Sequence, residues 1–188
     1  MTGRESFSKY SKIIAICQRM FSFFGRRNNL LLLNSFRHTN GKSGLLLRYV
    51  LLKNLAKSIG DNVSIQPGVY LLNVKNLQIG NNVSIHPMCY IDAEGGITIG
   101  NNVSIAHNSS ILSTNHDWSD IKIPIKYNAV TNKPVKINDD VWIACGVRIL
   151  AGVEIGSRCV VAAGSVVNKY IASNTLVAGV PAKTIKSI

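Results

Sequence analysis

Four histidines, His38, His86, His107 and His116, are the side chains best suited to acid–base work near neutrality. His116 stands apart from the rest. It lies in STNHDW at 113–118, immediately before a long irregular stretch. An imidazole placed there can take the proton of an attacking hydroxyl. The plainer reading of a lone histidine at a turn is solvent exposure. An acid or carbonyl should hold the second ring nitrogen. Asp117 is adjacent in sequence. Asp92, in CYIDAEGG at 89–96, is the other candidate, and its plainer role is to cap backbone amides in a turn. The four cysteines are too few and too scattered for a disulfide framework, so they read as reduced and the compartment as cytosolic. Cys89 and Cys159 fall at small inward positions, where a thiol acts as a hydrophobe. Cys145 has no histidine arrangement that would make it a nucleophile.

A strict six-residue period must position these groups. It runs through Ile59, Ile65 and Leu71, then Ile79, Ile85, Ile91 and Ile97, then Ile99, Ile105 and Ile111. It resumes at Ile137, Ile143, Ile149, Ile155, Val161 and Val167. IGNNVS occurs at 79–84 and again at 99–104. A smaller residue follows each aliphatic by four, as at Val63, Val83, Cys89, Val103, Ser109 and Cys159. Six fits neither a helix nor a simple strand alternation. It fits a parallel β-helix, whose coils bury each other's apolar faces. Ile59 to Ile79 and Ile79 to Ile99 are each 20 residues, and Ile137 to Ile155 is 18. Three short strands per coil follow. One coil carries a 20-residue excursion at 117–136, and loops of that length are usually functional or disordered. The predicted organisation is a helical segment at 1–58, an all-β solenoid at 59–172 and a short C-terminal tail at 173–188.

Charge is concentrated at one end. Of a formal +12, residues 1–58 carry eleven Lys or Arg against the single acid Glu5. Within this segment Ile13, Ile16, Cys17, Met20, Phe21 and Phe24 recur at helical spacing. The apolar run 13–24 is short for a membrane span and contains Arg19. A signal peptide would share the basic start, but Gly25 leads into Arg26 and Arg27 without a small-residue cleavage site. A second run, LLLRYVLLKNL at 45–55, predicts a helix packed on the solenoid. For 8–27 two readings stand level: a cap on the first coil, or an in-plane membrane helix. Nucleic acid is not expected as a partner, because no nucleic-acid fold is recognisable and the solenoid is nearly neutral.

The repeats resemble the hexapeptide-repeat acyltransferases, the left-handed β-helix family, over about 59–188. STNHDW, VWIACGVRILAGVEIG at 141–156, VVAAGSVVNK at 160–169 and AGVPAK at 178–183 carry the resemblance. Left-handedness is implied by the resemblance alone, since parallel crossovers are ordinarily right-handed. The resemblance implies a homotrimer with active sites at subunit junctions. It puts the catalytic histidine at His116, and motif and loop together favour that role over simple exposure. It implies acetyl-CoA as donor, lying between neighbouring subunits along Trp142, Cys145, Ala163, Gly164, Asn168 and Lys169. Small residues there would let the pantetheine arm approach the backbone, and Lys169, Lys183 and Lys186 would meet phosphates as point charges. The sugar-acetylating branch has an asparagine where this chain has His86. Asp92 is therefore favoured for acceptor or base contact, with His86 second and Asp117 third. A zinc-dependent branch spaces its histidines by five, against nine from His107 to His116, and no metal is expected. The implied function is O-acetyl transfer to a sugar or surface-polysaccharide precursor at the cytoplasmic side, near the membrane if 8–27 binds it. Serine acetylation, amino-sugar N-acetylation and a non-enzymatic trimeric scaffold are the alternatives.

Overall fold

The computed structural model describes residues 3–188. The chain winds through three parallel sheets in turn, so that each coil adds one strand to each sheet. The first sheet takes Ser58–Ile59, Leu77–Ile79, Ile97–Ile99, Val135–Ile137 and Glu154–Ile155. The second begins Ser64–Ile65, Ser84–Ile85 and Ser104–Ile105, and the third Tyr70–Leu72, Tyr90–Asp92 and Ser110–Leu112. Register repeats the sequence period: Ile79 pairs Ile99, Ile85 pairs Ile105, and Ile91 pairs Ile111. These isoleucines point inward and are buried, each stacked on its counterpart in the next coil. Full burial of such a side chain contributes about 1.5–3 kcal/mol.

The corners explain the repeated IGNNVS. Its second asparagine has positive φ: 54° at Asn62, 58° at Asn82 and 57° at Asn102. Asparagine tolerates that left-handed conformation better than most residues. The amides then form a ladder, Asn62 Nδ2 donating to Asn82 Oδ1 and Asn82 Nδ2 to Asn102 Oδ1, each at 3.0 Å. The glycine is required by close approach. A Cβ on Gly80 would stand 2.8 Å from the Gly100 carbonyl oxygen.

Four helices precede the coils: α1 (Gly3–Lys9), α2 (Ser11–Ser22), α3 (Gly25–Ser35) and α4 (Gly41–Leu55). α4 starts earlier than the predicted 45–55 and closes the open end of the first coil, burying Val50, Leu51, Leu52 and Leu55. Arg48 is 1% exposed there. It donates from Nε to the Ile65 carbonyl at 2.8 Å and from Nη1 to the Thr39 carbonyl at 2.7 Å. Burial pushes its guanidinium pKa down. α2 packs across α4 through Ile14 and Phe21. The apolar residues of 8–27 are thus divided. Phe21 and half-buried Cys17 face the protein, whereas Ile13, Ile16, Met20, Phe23 and Phe24 face outward. No described helix is long and apolar enough to cross a membrane.

Two further segments are more ordered than a loop and a tail. Thr114–His116, just before the excursion, and Val130–Asn132 within it pair as an antiparallel hairpin before the chain rejoins the first sheet at Val135. Beyond residue 172, Thr175–Ala178 extends the second sheet and Lys183–Ser187 folds back against it. That antiparallel strand covers the last parallel edge, which a solenoid must protect.

Candidate active site

The predicted site residues fall on two edges of the triangular prism. The corner between the second and third sheets forms one edge. Its backbone is stitched coil to coil: the His107 carbonyl accepts from Gly146 N at 3.0 Å and the Cys145 carbonyl from Gly164 N at 2.9 Å. His107, Cys145 and Ala163 are therefore stacked, and His86 sits one coil below Ala106 on the same edge. Gly146 and Gly164 take positive φ of 69° and 70°, and nothing lies within 4 Å of where a Cβ on Gly164 would stand. This edge is narrow and open. Beside it, on the outer face of the second sheet, Trp142 neighbours Val160, Val160 neighbours Leu176, and Leu176 neighbours Lys186. Val160 and Leu176 were not singled out from the sequence. The 18-residue step from Trp142 to Val160 was the signal that could have found Val160. The turn 179–182 ends the edge, with Ala182 N donating to the Val166 carbonyl at 2.8 Å, and exposed Lys183 follows it.

The corner between the third and first sheets forms the other edge, and His116 belongs to it. Its hairpin leaves the prism at Ser113, which is fully buried. Ser113 Oγ donates to the Asp92 carbonyl at 2.8 Å and accepts from Gly95 N at 2.9 Å. The Ser113 carbonyl accepts from Lys133 N at 2.9 Å, which closes the base of the hairpin. His116 is exposed and pairs with Val130. Asp92 is one coil below on this edge. Its Oδ1 accepts from Asn73 Nδ2 at 2.8 Å and from Glu94 N at 3.2 Å. It braces the turn beneath the hairpin. Asp117 Oδ1 accepts from Trp118 N at 2.7 Å and Ser119 N at 2.9 Å. Those bonds, the Ser119 backbone amide first, hold its carboxyl below the usual range. Asn168 and Lys169 also fall on this edge, since they follow Val167 at the same corner of the fifth coil.

The third sheet separates the two edges within one chain. The structure therefore groups His116 with Asp92, Asp117, Asn168 and Lys169, and apart from them His86, Trp142, Cys145, Ala163, Gly164, Lys183 and Lys186. A second unpredicted group orders the loop. Buried Asn128 donates from Nδ2 to the Asp120 carbonyl at 3.2 Å and to the Ile123 carbonyl at 3.4 Å. Around it the loop is apolar and exposed, with Ile121 at 93% and Trp118 at 70%. Among the described residues, no three histidine, cysteine or acidic side chains cluster as a metal site.

Comparison with known proteins gives the lineage. Residues 134–169 match the family described as bacterial transferase hexapeptide (six repeats). A galactoside O-acetyltransferase of Escherichia coli (strain K12) is 33% identical over 162 residues, which is 84% of this chain and 76% of that enzyme. A hexapeptide-repeat acetyltransferase of Vibrio cholerae O1 biovar eltor, solved with acetyl coenzyme A, superposes with a TM-score of 0.76 at 31% identity, covering 86% of each chain. A maltose O-acetyltransferase of Clostridium difficile 630 gives a TM-score of 0.76 at 30% identity, over 89% of this chain and 88% of that one. The period, the three-sheet prism and these matches agree: the chain belongs to the hexapeptide-repeat, left-handed β-helix acyltransferases.

Proposed function

We propose that this protein moves an acetyl group from acetyl-CoA to a sugar hydroxyl, with His116 as general base. The observation that carries the reading is His116 itself. The one histidine of STNHDW stands exposed on a hairpin whose base is fixed by buried Ser113, beside an excursion that breaks an otherwise regular solenoid. Likeness over most of the chain to galactoside and maltose O-acetyltransferases supports a sugar as acceptor. The imidazole takes the hydroxyl proton as the oxygen attacks the thioester carbonyl. A C–O bond forms, the C–S bond then breaks, and the imidazolium returns the proton to the departing thiolate. No covalent enzyme intermediate is needed. The open edge of Cys145, Ala163 and Gly164 and the outer strip of Trp142, Val160 and Leu176 fit an extended pantetheine arm, with Lys183 and Lys186 near the end for phosphates.

The site needs more than one chain. His116 and the donor edge lie on different corners, and a head-to-tail ring of three copies sets the His116 edge of one chain against the donor edge of the next. The exposed apolar loop 118–127 supplies a contact for such a neighbour, because single subunits rarely leave contiguous apolar surface uncovered.

Acetyl transfer to a panel of galactosides and glucosides, followed with free thiol release, tests the reading. His116→Ala is expected to lower kcat/KM by about 10²–10⁴-fold while coenzyme binding persists. An unchanged kcat/KM on the best acceptor would remove His116 from the mechanism. Transfer to serine or to amino sugars in preference to every hydroxyl acceptor would replace the sugar O-acetyl reading.

A further inference from the structure

The outer face of α2 has no role in the fold or in the site. Its inner face is already occupied: Ile14 and Phe21 are buried, Asn29 Nδ2 donates to the Phe21 carbonyl at 2.9 Å, and Asn54 Nδ2 donates to the Gln18 carbonyl at 3.4 Å. The helix is therefore held against α3 and α4 while its Ile13, Ile16 and Met20, with Phe23 and Phe24 of the turn into α3, remain outside, Ile16 at 70% and Phe23 at 82% exposure. Folding gains little from Ile16 and Phe23 where they stand, whereas Phe24 still rests on the Phe21 ring, 5.9 Å between centroids. Exposed Lys9, Lys12, Arg19, Arg26 and Arg27 accompany them, and no acid occurs between Glu5 and Asp61. We propose that this face docks on an anionic phospholipid surface.

Charge selects the occupant. A second copy meeting this face would bring its own segment of eleven bases and one acid, so the approach would be repelled. A bilayer with anionic headgroups attracts the bases, and large apolar side chains of the same segment enter the boundary between headgroups and acyl chains. The helix runs beside the first coil, so docking would bring that end of the prism to the lipid. The contact itself does not depend on acetyl transfer. Its consequence for the acceptor, a sugar carried on a lipid, rests on the function proposed above.

Co-sedimentation of the full chain with phosphatidylcholine vesicles, with and without phosphatidylglycerol, tests the contact. Binding is expected only with phosphatidylglycerol, and it should weaken as salt rises. Ile16→Glu with Phe23→Glu should cut the bound fraction about tenfold or more. Both positions are exposed, so the folded chain tolerates them, and turnover on a small soluble sugar reports that the enzyme is intact. Protein that stays in the supernatant at low salt overturns the proposal. So does equal binding to neutral vesicles, and so does a change of oligomer size caused by the two glutamates, which would mean that another copy covers the face. If the wild type neither acetylates sugars nor loses vesicle binding, only the enzymatic reading fails.

Discussion

α2 and the loop at 117–128 both present large apolar side chains to solvent, and their surroundings differ. Ile16 and Phe23 sit among five exposed bases with no acid nearby in sequence. Trp118, Ile121 and Tyr127 sit among two acids and two bases, Asp117, Asp120, Lys122 and Lys126. The first surface repels its own copy and attracts an anionic one. The second is close to neutral, so apolar burial against another subunit meets no such penalty. Their positions differ in the same sense. α2 lies at the N-terminal end of the solenoid, whereas the loop follows directly on His116. Apolar exposure alone therefore does not identify a partner here. The charge around it and its place relative to His116 set the two proposals apart.

The largest effect should come from charging the loop. Trp118→Glu with Ile121→Glu is expected to convert the proposed trimer to monomers and to lower turnover by about 100-fold or more, because the base would lose the neighbour that carries the donor edge. Light scattering read beside the kinetics checks this. A monomer that keeps wild-type turnover would make the loop an ordinary surface and end the contrast with α2.

A smaller effect separates the two faces of α2. Ile14→Ala removes a buried side chain and should cost about 2–5 kcal/mol of stability, toward the low end for a helix at the margin of the core. Ile16→Ala, on the outer face, should stay within about 0.5 kcal/mol. Chemical denaturation of both variants tests the assignment of inner and outer faces. Equal losses would mean that the outer face also packs against protein.

The solenoid was legible because every hexad makes the same demand. An inward aliphatic, a small partner and a left-handed Asn or Gly recur in register, so Ile79 predicts Ile99 without tertiary information. The tail carries no hexad, yet Thr175–Ala178 continues the second sheet, since Val177 keeps the inward role without the hexad around it. α2 was harder. Ile13 and Ile14 are equally apolar, and α4 decides which of them turns inward. The hairpin at His116 had no period to reveal it, because its strands are separated by a loop. Ser113 was hidden for another reason. A hydroxyl that holds a carbonyl of the coil below and an amide of the same corner leaves no spacing rule in the chain.

In the proposed assembly each active site takes its base from one chain and its donor edge from another. Two inactive variants test it together. His116→Ala chains keep a sound donor edge, and Ala163→Trp chains, bulky at an exposed corner position, keep a sound base. Mixed trimers made by co-expression should recover activity, with about a quarter of sites pairing an intact base with an intact edge under random assembly. Native mass spectrometry confirms that mixed trimers are present. Recovery toward that level is the predicted result, and mixed trimers that remain as inactive as either parent would contradict the shared site.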